Sequence, residues 1–396
     1  MSAPTPLPRR ILMGIVLAAA LGVIGWQAVG LLDDPSIFPP DDFVEYWAAG
    51  RLNAQGQNPY DGNLLLPLEQ SAGRDTQDPV MMWNPPWTLS IAMPLGLLKA
   101  RVAQLLWLAA GLILIVGCAD RLWILFDGSP ERRWVAWLVA LSFAPTLFVL
   151  NAGQIAPFIL LGITGFLACE RAGRYVAAGA FAALLAIKPH LVYLFWPAVA
   201  VWAIRRPMPS RGQVILGGLL AGLAATAIPV ACNPQVLGQY AEAMTQRTPE
   251  QWKSPTLGWL LRELLGEGHF GLQFVPTVVG LGWLLWEGWR SRGREWVWRD
   301  RMPMLLLVSF VTTSYGAWPF DLVILLPAVV SVAAGLARQP DRRRIVLATG
   351  LFLLINGAAL GLNLLHITSE FFVWMAPSLL AGYLLLRPVH VSSGTP

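Results

Sequence analysis

Apolar runs of about 17 to 25 residues recur from one end of this chain to the other, and that is the length at which a helix crosses the hydrocarbon of a bilayer. Lipid offers no hydrogen bonds, so each crossing segment must satisfy its backbone internally. The expected fold class is therefore all-α: a polytopic helical bundle embedded in a membrane. Charged residues make up only 13% of the chain, about half the share found in soluble domains. No stretch between the runs is long enough for a soluble domain, so residues 1–396 read as one transmembrane domain. Nineteen Trp suit a protein anchored at two lipid–water interfaces.

Charge sets the orientation. Arg9 and Arg10 precede the first run, 11–32, which is too long for a signal-peptide core and ends in Asp33-Asp34-Pro35 without a small-residue cleavage site. It reads as a retained helix with a cytoplasmic N-terminus. Residues 33–101 then form the first outer loop. Its later part, 83–98, holds Pro85, Pro86 and Pro94. That piece is short and repeatedly broken, so it reads as a shallow or re-entrant element that returns to the outer side. Inward and outward runs alternate after it, with a second outer loop at 233–270 and a cytoplasmic C-terminus. This gives about twelve crossings of a plasma (inner) membrane. Most of the 28 Lys and Arg fall inside and most of the 23 Asp and Glu outside.

Several functions are disfavoured. The net charge of +5 is spread over short loops, which is no nucleic-acid footprint. Cys118, Cys169 and Cys232 are far apart, and the four His are scattered, so neither a disulfide framework nor a metal site is expected. There is no P-loop, dinucleotide turn or nucleophile elbow.

The polar residues that remain converge on the outer side. The densest carboxylates lie in Asp41-Asp42-Phe43-Val44-Glu45-Tyr46-Trp47, continuing to Asn58-Pro59-Tyr60-Asp61. This is either a solvated acidic loop or a carboxylate base held at the membrane surface. Trp83-Asn84, Asn151 with Gln154, Lys188 with His190, and Trp318 to Asp321 join it. Asn151 to Gln154 also suits a capped turn, and Asp321 suits a helix N-cap. His190 alone suits packing as well as binding. Lys188 lies between two apolar runs, where a lysine must snorkel, pair or serve function. Next to Pro189 it suits a phosphate contact.

Taken in order, these motifs resemble glycosyltransferase family 87. They are Asp42 four residues before Tyr46-Trp47 with Ala49-Gly50, Gly56 to Asp61, Asn84-Pro85-Pro86 with Pro94-Leu95, Gly153-Gln154, Lys188-Pro189, and Phe320-Asp321-Leu322 through Leu325-Leu326-Pro327. That family includes polyprenol-phosphate-mannose-dependent α-(1→2)-mannosyltransferases. The resemblance implies a GT-C fold and an inverting transfer on the extracytoplasmic side. A sugar, mannose in those relatives, would pass from a polyprenyl-phosphate donor to a glycolipid or glycan acceptor, with no cofactor and no metal.

By the same resemblance Asp42 is the catalytic base, and Lys188 and Gln154 meet the donor phosphate. Asp41, Tyr46, Trp47, Asp61, Trp83, Asn151, His190 and Asp321 contact substrate. Trp47, Trp83 and Trp318 are the residues able to stack on a sugar. A histidine-bearing turn found in some members is replaced here by Ser314 to Asp321, so that histidine's role does not carry over. Two alternatives stay open: a flippase of lipid-linked sugars, and a non-catalytic subunit of envelope biosynthesis.

Overall fold

The computed structural model describes residues 39–205, 209–246, 253–266 and 268–387. The expected first span, 11–32, lies outside them. Among the described residues every regular element is a helix. Five helices are long and apolar enough to cross a bilayer: Ala100–Leu125, Arg211–Cys232, Asp321–Arg338, Arg342–Leu364 and Ser369–Leu386. A sixth is the pair Pro130–Ser142 and Ala144–Ala152, bent by 56°. The bend falls where Pro145 starts the second half, and the freed Ala144 N–H donates to Asn356 Oδ1 at 2.6 Å, as a broken helix in lipid requires. Other runs expected to cross are shorter. Tyr175–Ile187 ends in a 3₁₀ turn at Lys188, and the next helix starts only at Phe195.

The segment 39–98, expected as an outer loop with a shallow Pro-rich element at 83–98, is folded into the bundle. It holds helix α1 (Phe43–Ala54), α2 (Gly62–Ser71), a 3₁₀ turn at Pro86–Thr88, and α3 (Leu89–Gly96). At 1.5 Å per residue α3 is about 12 Å long, less than half of the hydrocarbon thickness. It crosses α1 at contact distance. A Cβ on Gly50 would sit 2.4 Å from Ala92 O, and one on Gly96 would sit 2.3 Å from Arg51 N. Trp47 Nε1 donates to Leu98 O at 3.1 Å, and Arg51 Nη1 donates to Gly96 O at 3.3 Å. Almost all of α1 is buried, so it works as a rigid bracket.

Gly50→Ala should therefore push α1 off α3, an overpacking that costs about 1–3 kcal/mol. We expect a thermal midpoint lowered by about 1–4 °C, read by unfolding of the purified protein in detergent. An unchanged midpoint would mean that the crossing is not tight.

The remaining helices are α4 (Ala100–Leu125), α5 (Trp134–Ser142), α6 (Ala144–Ala152), α7 (Ala156–Arg171), α8 (Tyr175–Ala183), α9 (Phe195–Arg205), α10 (Pro209–Cys232), α11 (Val236–Gln246), α12 (Leu257–Leu265), α13 (Val275–Arg290), α14 (Trp298–Thr312), α15 (Leu326–Arg338), α16 (Arg342–Leu364) and α17 (Met375–Leu386). The buried aromatics Phe166, Phe195 and Trp298 pack edge to face or tilted, with centroids 5.0–5.5 Å apart, and tie α7, α9 and α14 together. One end of the bundle is left hollow.

Candidate active site

The hollow end is a cavity of ≈ 1270 Å³, larger than the few hundred to a thousand Å³ of an ordinary small-molecule site. Its polar wall comes from five places in the chain: the start of α1, the segment before Pro86, the α6–α7 turn, the turn after α8, and the turn before α15. Apolar side chains line the cavity as well, among them Leu147, Phe148, Leu360, Ile367 and Phe372.

Asp42 sits at the N-terminus of α1 in helical conformation and makes no side-chain cap. Its carboxylate is thus left for the cavity, where Oδ2 accepts from Gln154 Nε2 at 2.9 Å. Asp41 precedes it at φ +30°, in the left-handed region that Asp tolerates better than most residues. That reversal aims both carboxylates at one space. Burial raises the Asp42 pKa, while the Gln154 hydrogen bond and the Lys188 charge pull it back.

Gln154 is clamped. Its Oε1 accepts from Tyr46 OH at 2.8 Å and from Lys188 Nζ at 3.0 Å. Trp107 Nε1 donates to Gly153 O at 2.7 Å, and the Trp107 ring stacks on Tyr46. Gly153 closes α6 at φ +68°, and a Cβ there would meet Phe43 Cβ at 2.6 Å. Only glycine allows this turn against α1.

Lys188 Nζ also donates to Asp321 Oδ1 at 2.8 Å and lies 5.2 Å from the centre of the Phe320 ring. Asp42, Gln154, Lys188 and Asp321 thus form one hydrogen-bonded chain along the wall. Asp321 is not an N-cap: it lies inside the 3₁₀ turn Asp321–Leu325, fully buried. Its Oδ2 has no partner among the described residues. The Lys188 turn is held from outside, because Asn84 Nδ2 donates to Ile187 O at 3.2 Å and Trp87 Nε1 donates to Ala186 O at 3.0 Å.

The cavity also takes in Trp83, Asn151 and His190. Burial and the adjacent Lys188 charge push the His190 pKa down to about 3, so the imidazole is neutral at physiological pH. Tyr46 lies behind the wall and reaches it through Gln154. Two expected contacts stand elsewhere. Trp47 is buried against the α3 crossing. Asp61 caps α2, accepting from Asn63 N at 2.9 Å; its extended backbone turns the carboxylate onto its own helix. Gln154, expected to face the donor phosphate, has both ends of its amide engaged by protein. Among the described residues no group of three or more His, Cys, Asp or Glu has the geometry to hold a metal.

Glu45 lines the cavity one helical turn from Asp42. The i, i+3 spacing of two acids is its sequence signal. Burial, with the Asp42 charge second, pushes its pKa up to about 8, so it holds its proton near neutrality. Its raised folded value favours the protonated form. That contribution to stability is full below the ordinary carboxylate range and is lost as pH rises through about 8. The wild-type thermal midpoint should fall from pH 5 to pH 8.5, and Glu45→Gln should flatten that fall. An unaltered slope in the variant would assign the pH dependence to other groups.

Comparisons with curated proteins and with solved structures gave no match. A match to the family model of glycosyltransferase family 87 runs over residues 83–314. It takes in Trp83, Asn151, Gln154, Lys188 and His190, while Asp41, Asp42, Glu45 and Asp321 reach the same cavity from the two flanks. With more than half of its length matched, the chain belongs to glycosyltransferase family 87 and is a membrane glycosyltransferase.

Proposed function

We propose that the chain is an inverting, GT-C-type transferase that moves a sugar, mannose in our reading, from a polyprenyl-phosphate donor to a glycolipid or glycan acceptor. The observation that carries this is the Asp42–Gln154–Lys188–Asp321 chain, which sets a carboxylate and an ammonium on one cavity wall. Asp42 takes the proton of the acceptor hydroxyl. The hydroxyl oxygen attacks the anomeric carbon as the bond from that carbon to the phosphate oxygen breaks, and polyprenyl phosphate leaves. Lys188 spends two of its three N–H donors on Gln154 and Asp321; the third is available to the phosphate as its charge grows. Gln154 acts as a positioning residue that holds base and ammonium in register.

A raised Asp42 pKa strengthens the base, and a protonated Glu45 does not compete for the role. The apolar side chains of the lining suit a polyprenyl chain. A cavity of this volume has room for the donor sugar phosphate and the acceptor head together. On this reading the cavity opens on the extracytoplasmic side, and Lys99, exposed after α3, lies on that side. Cysteine placed at Lys99 in a cysteine-free chain should react with an impermeant thiol reagent added to intact spheroplasts. Labelling only after lysis would invert the orientation.

Donor class is tested by offering the purified protein either polyprenyl-phosphate mannose or a nucleotide sugar, with a lipid acceptor. Transfer from the lipid donor alone is expected. Equal use of the nucleotide sugar would sink the reading.

A further inference from the structure

The bundle carries a second hollow, a groove of ≈ 570 Å³ between α5, α15, α16 and α17. It is lined by Leu, Val, Ile, Ala and Phe side chains, with Thr349, Ser142 and Tyr383 as sparse polar breaks. Leu138 on one rim and Leu353 on another are exposed on the outside of the bundle. The groove therefore opens sideways from helices that are apolar enough to span a membrane. Water would not fill it, and an apolar surface of this kind needs an occupant.

One end of the groove is cationic. Arg132 lines it and donates to Ala337 O at 3.1 Å. Arg338 follows Ala337, and Arg344 precedes the lining residue Ile345, donating to Leu386 O at 2.8 Å. The nearest carboxylate to Arg338, Asp127, is shared with Arg171 and Arg299, at 3.6, 3.2 and 2.5 Å. Arg299 also pairs with Asp300 at 3.1 Å, so two carboxylates face three guanidiniums and positive charge remains in excess. Along α16, Arg344 and the cavity residue Asn363 are about 28 Å apart at the helical rise, close to one hydrocarbon thickness. The basic end thus lies at the membrane face opposite the cavity.

We infer that the groove binds one anionic phospholipid of the surrounding bilayer, with an acyl chain between α5, α15 and α16 and its headgroup phosphate on Arg132 and Arg338. Apolar area holds the chain, and guanidinium–phosphate pairing selects the charge. The site is separate from the transfer reaction and does not depend on the donor's identity.

The test is native mass spectrometry of the purified full chain in mild detergent, with phosphatidylglycerol or phosphatidylcholine of matched acyl chains added. One phosphatidylglycerol should be retained in preference to phosphatidylcholine, and added salt should erode the preference. At about fivefold per arginine, the pair Arg132→Gln and Arg338→Gln should lower retention about 25-fold. Ala348→Phe, which fills the groove and keeps the arginines, should expel the lipid. Thermal midpoints of the same samples report folding, and the wild-type salt series stands without any variant. Equal retention of both lipids by the wild type, no salt dependence, or a lipid-free dimer that covers the groove would overturn the inference.

Discussion

Replacing Asp42 with Asn will lower turnover by about a hundredfold or more while the protein stays folded. That is the typical worth of a positioned base, and the structure explains why folding should survive. Asp42 makes no cap to α1, so the helix does not depend on its charge. Its carboxylate accepts one hydrogen bond, from Gln154 Nε2, and an Asn carbonyl oxygen can accept the same bond. What the substitution removes is basicity. Asp41 lines the same cavity, so Asp41→Asn is the paired control. Near-normal turnover in Asp42→Asn with a dead Asp41→Asn would move the role by one residue. Normal turnover in both would end the carboxylate-base proposal.

Lys188→Met will have the second large effect, in two separable parts. The first is structural. Asp321 is fully buried and Lys188 nearly so, and removal of one partner of a buried pair costs about 3–5 kcal/mol because the other charge is stranded. The second is chemical: loss of the ammonium should lower kcat about a hundredfold, as expected of a group that meets developing charge. Adding Asp321→Asn separates the two. The double variant no longer strands a carboxylate, so its thermal midpoint should recover most of the loss while turnover stays low. Lys188→Arg should keep part of the activity, since the charge persists in a different geometry. If the double variant regains both midpoint and turnover, Lys188 is a structural partner of Asp321, and another cation must meet the phosphate.

Much of this site was legible in the residue order. Asp42, Gln154, Lys188 and Asp321 are polar groups in a chain with few of them, and scarcity made each conspicuous. Their mutual contact was not legible. It depends on turns separated by up to 133 residues and on a glycine whose missing Cβ admits Phe43. Asp42 and Asp61 look alike in sequence because both precede a helix. Backbone conformation separates them, extended at Asp61 and helical at Asp42, and so decides which carboxylate is spent on a cap. Trp47 read as a sugar platform because interfacial and stacking tryptophans share one composition signal. The close glycine crossing of α1 and α3 is what buries it.

Helix count suffered for a related reason: apolar runs mark where chain can lie in lipid, but prolines such as Pro145 and Pro189 break those runs. Glu45 carried only a weak signal, an acid three residues from another. Its burial is a property of the folded bracket, not of α1 alone.

The most direct measurement uses one reaction: purified protein, β-linked polyprenyl-phosphate mannose and a lipid acceptor, analysed for both products. The account predicts free polyprenyl phosphate and mannosylated acceptor in equal amounts, the new linkage α by NMR, and neither product with Asp42→Asn. A β-linked product would contradict single-displacement inversion. Donor moved across a vesicle membrane without cleavage would contradict the transferase reading of this cavity.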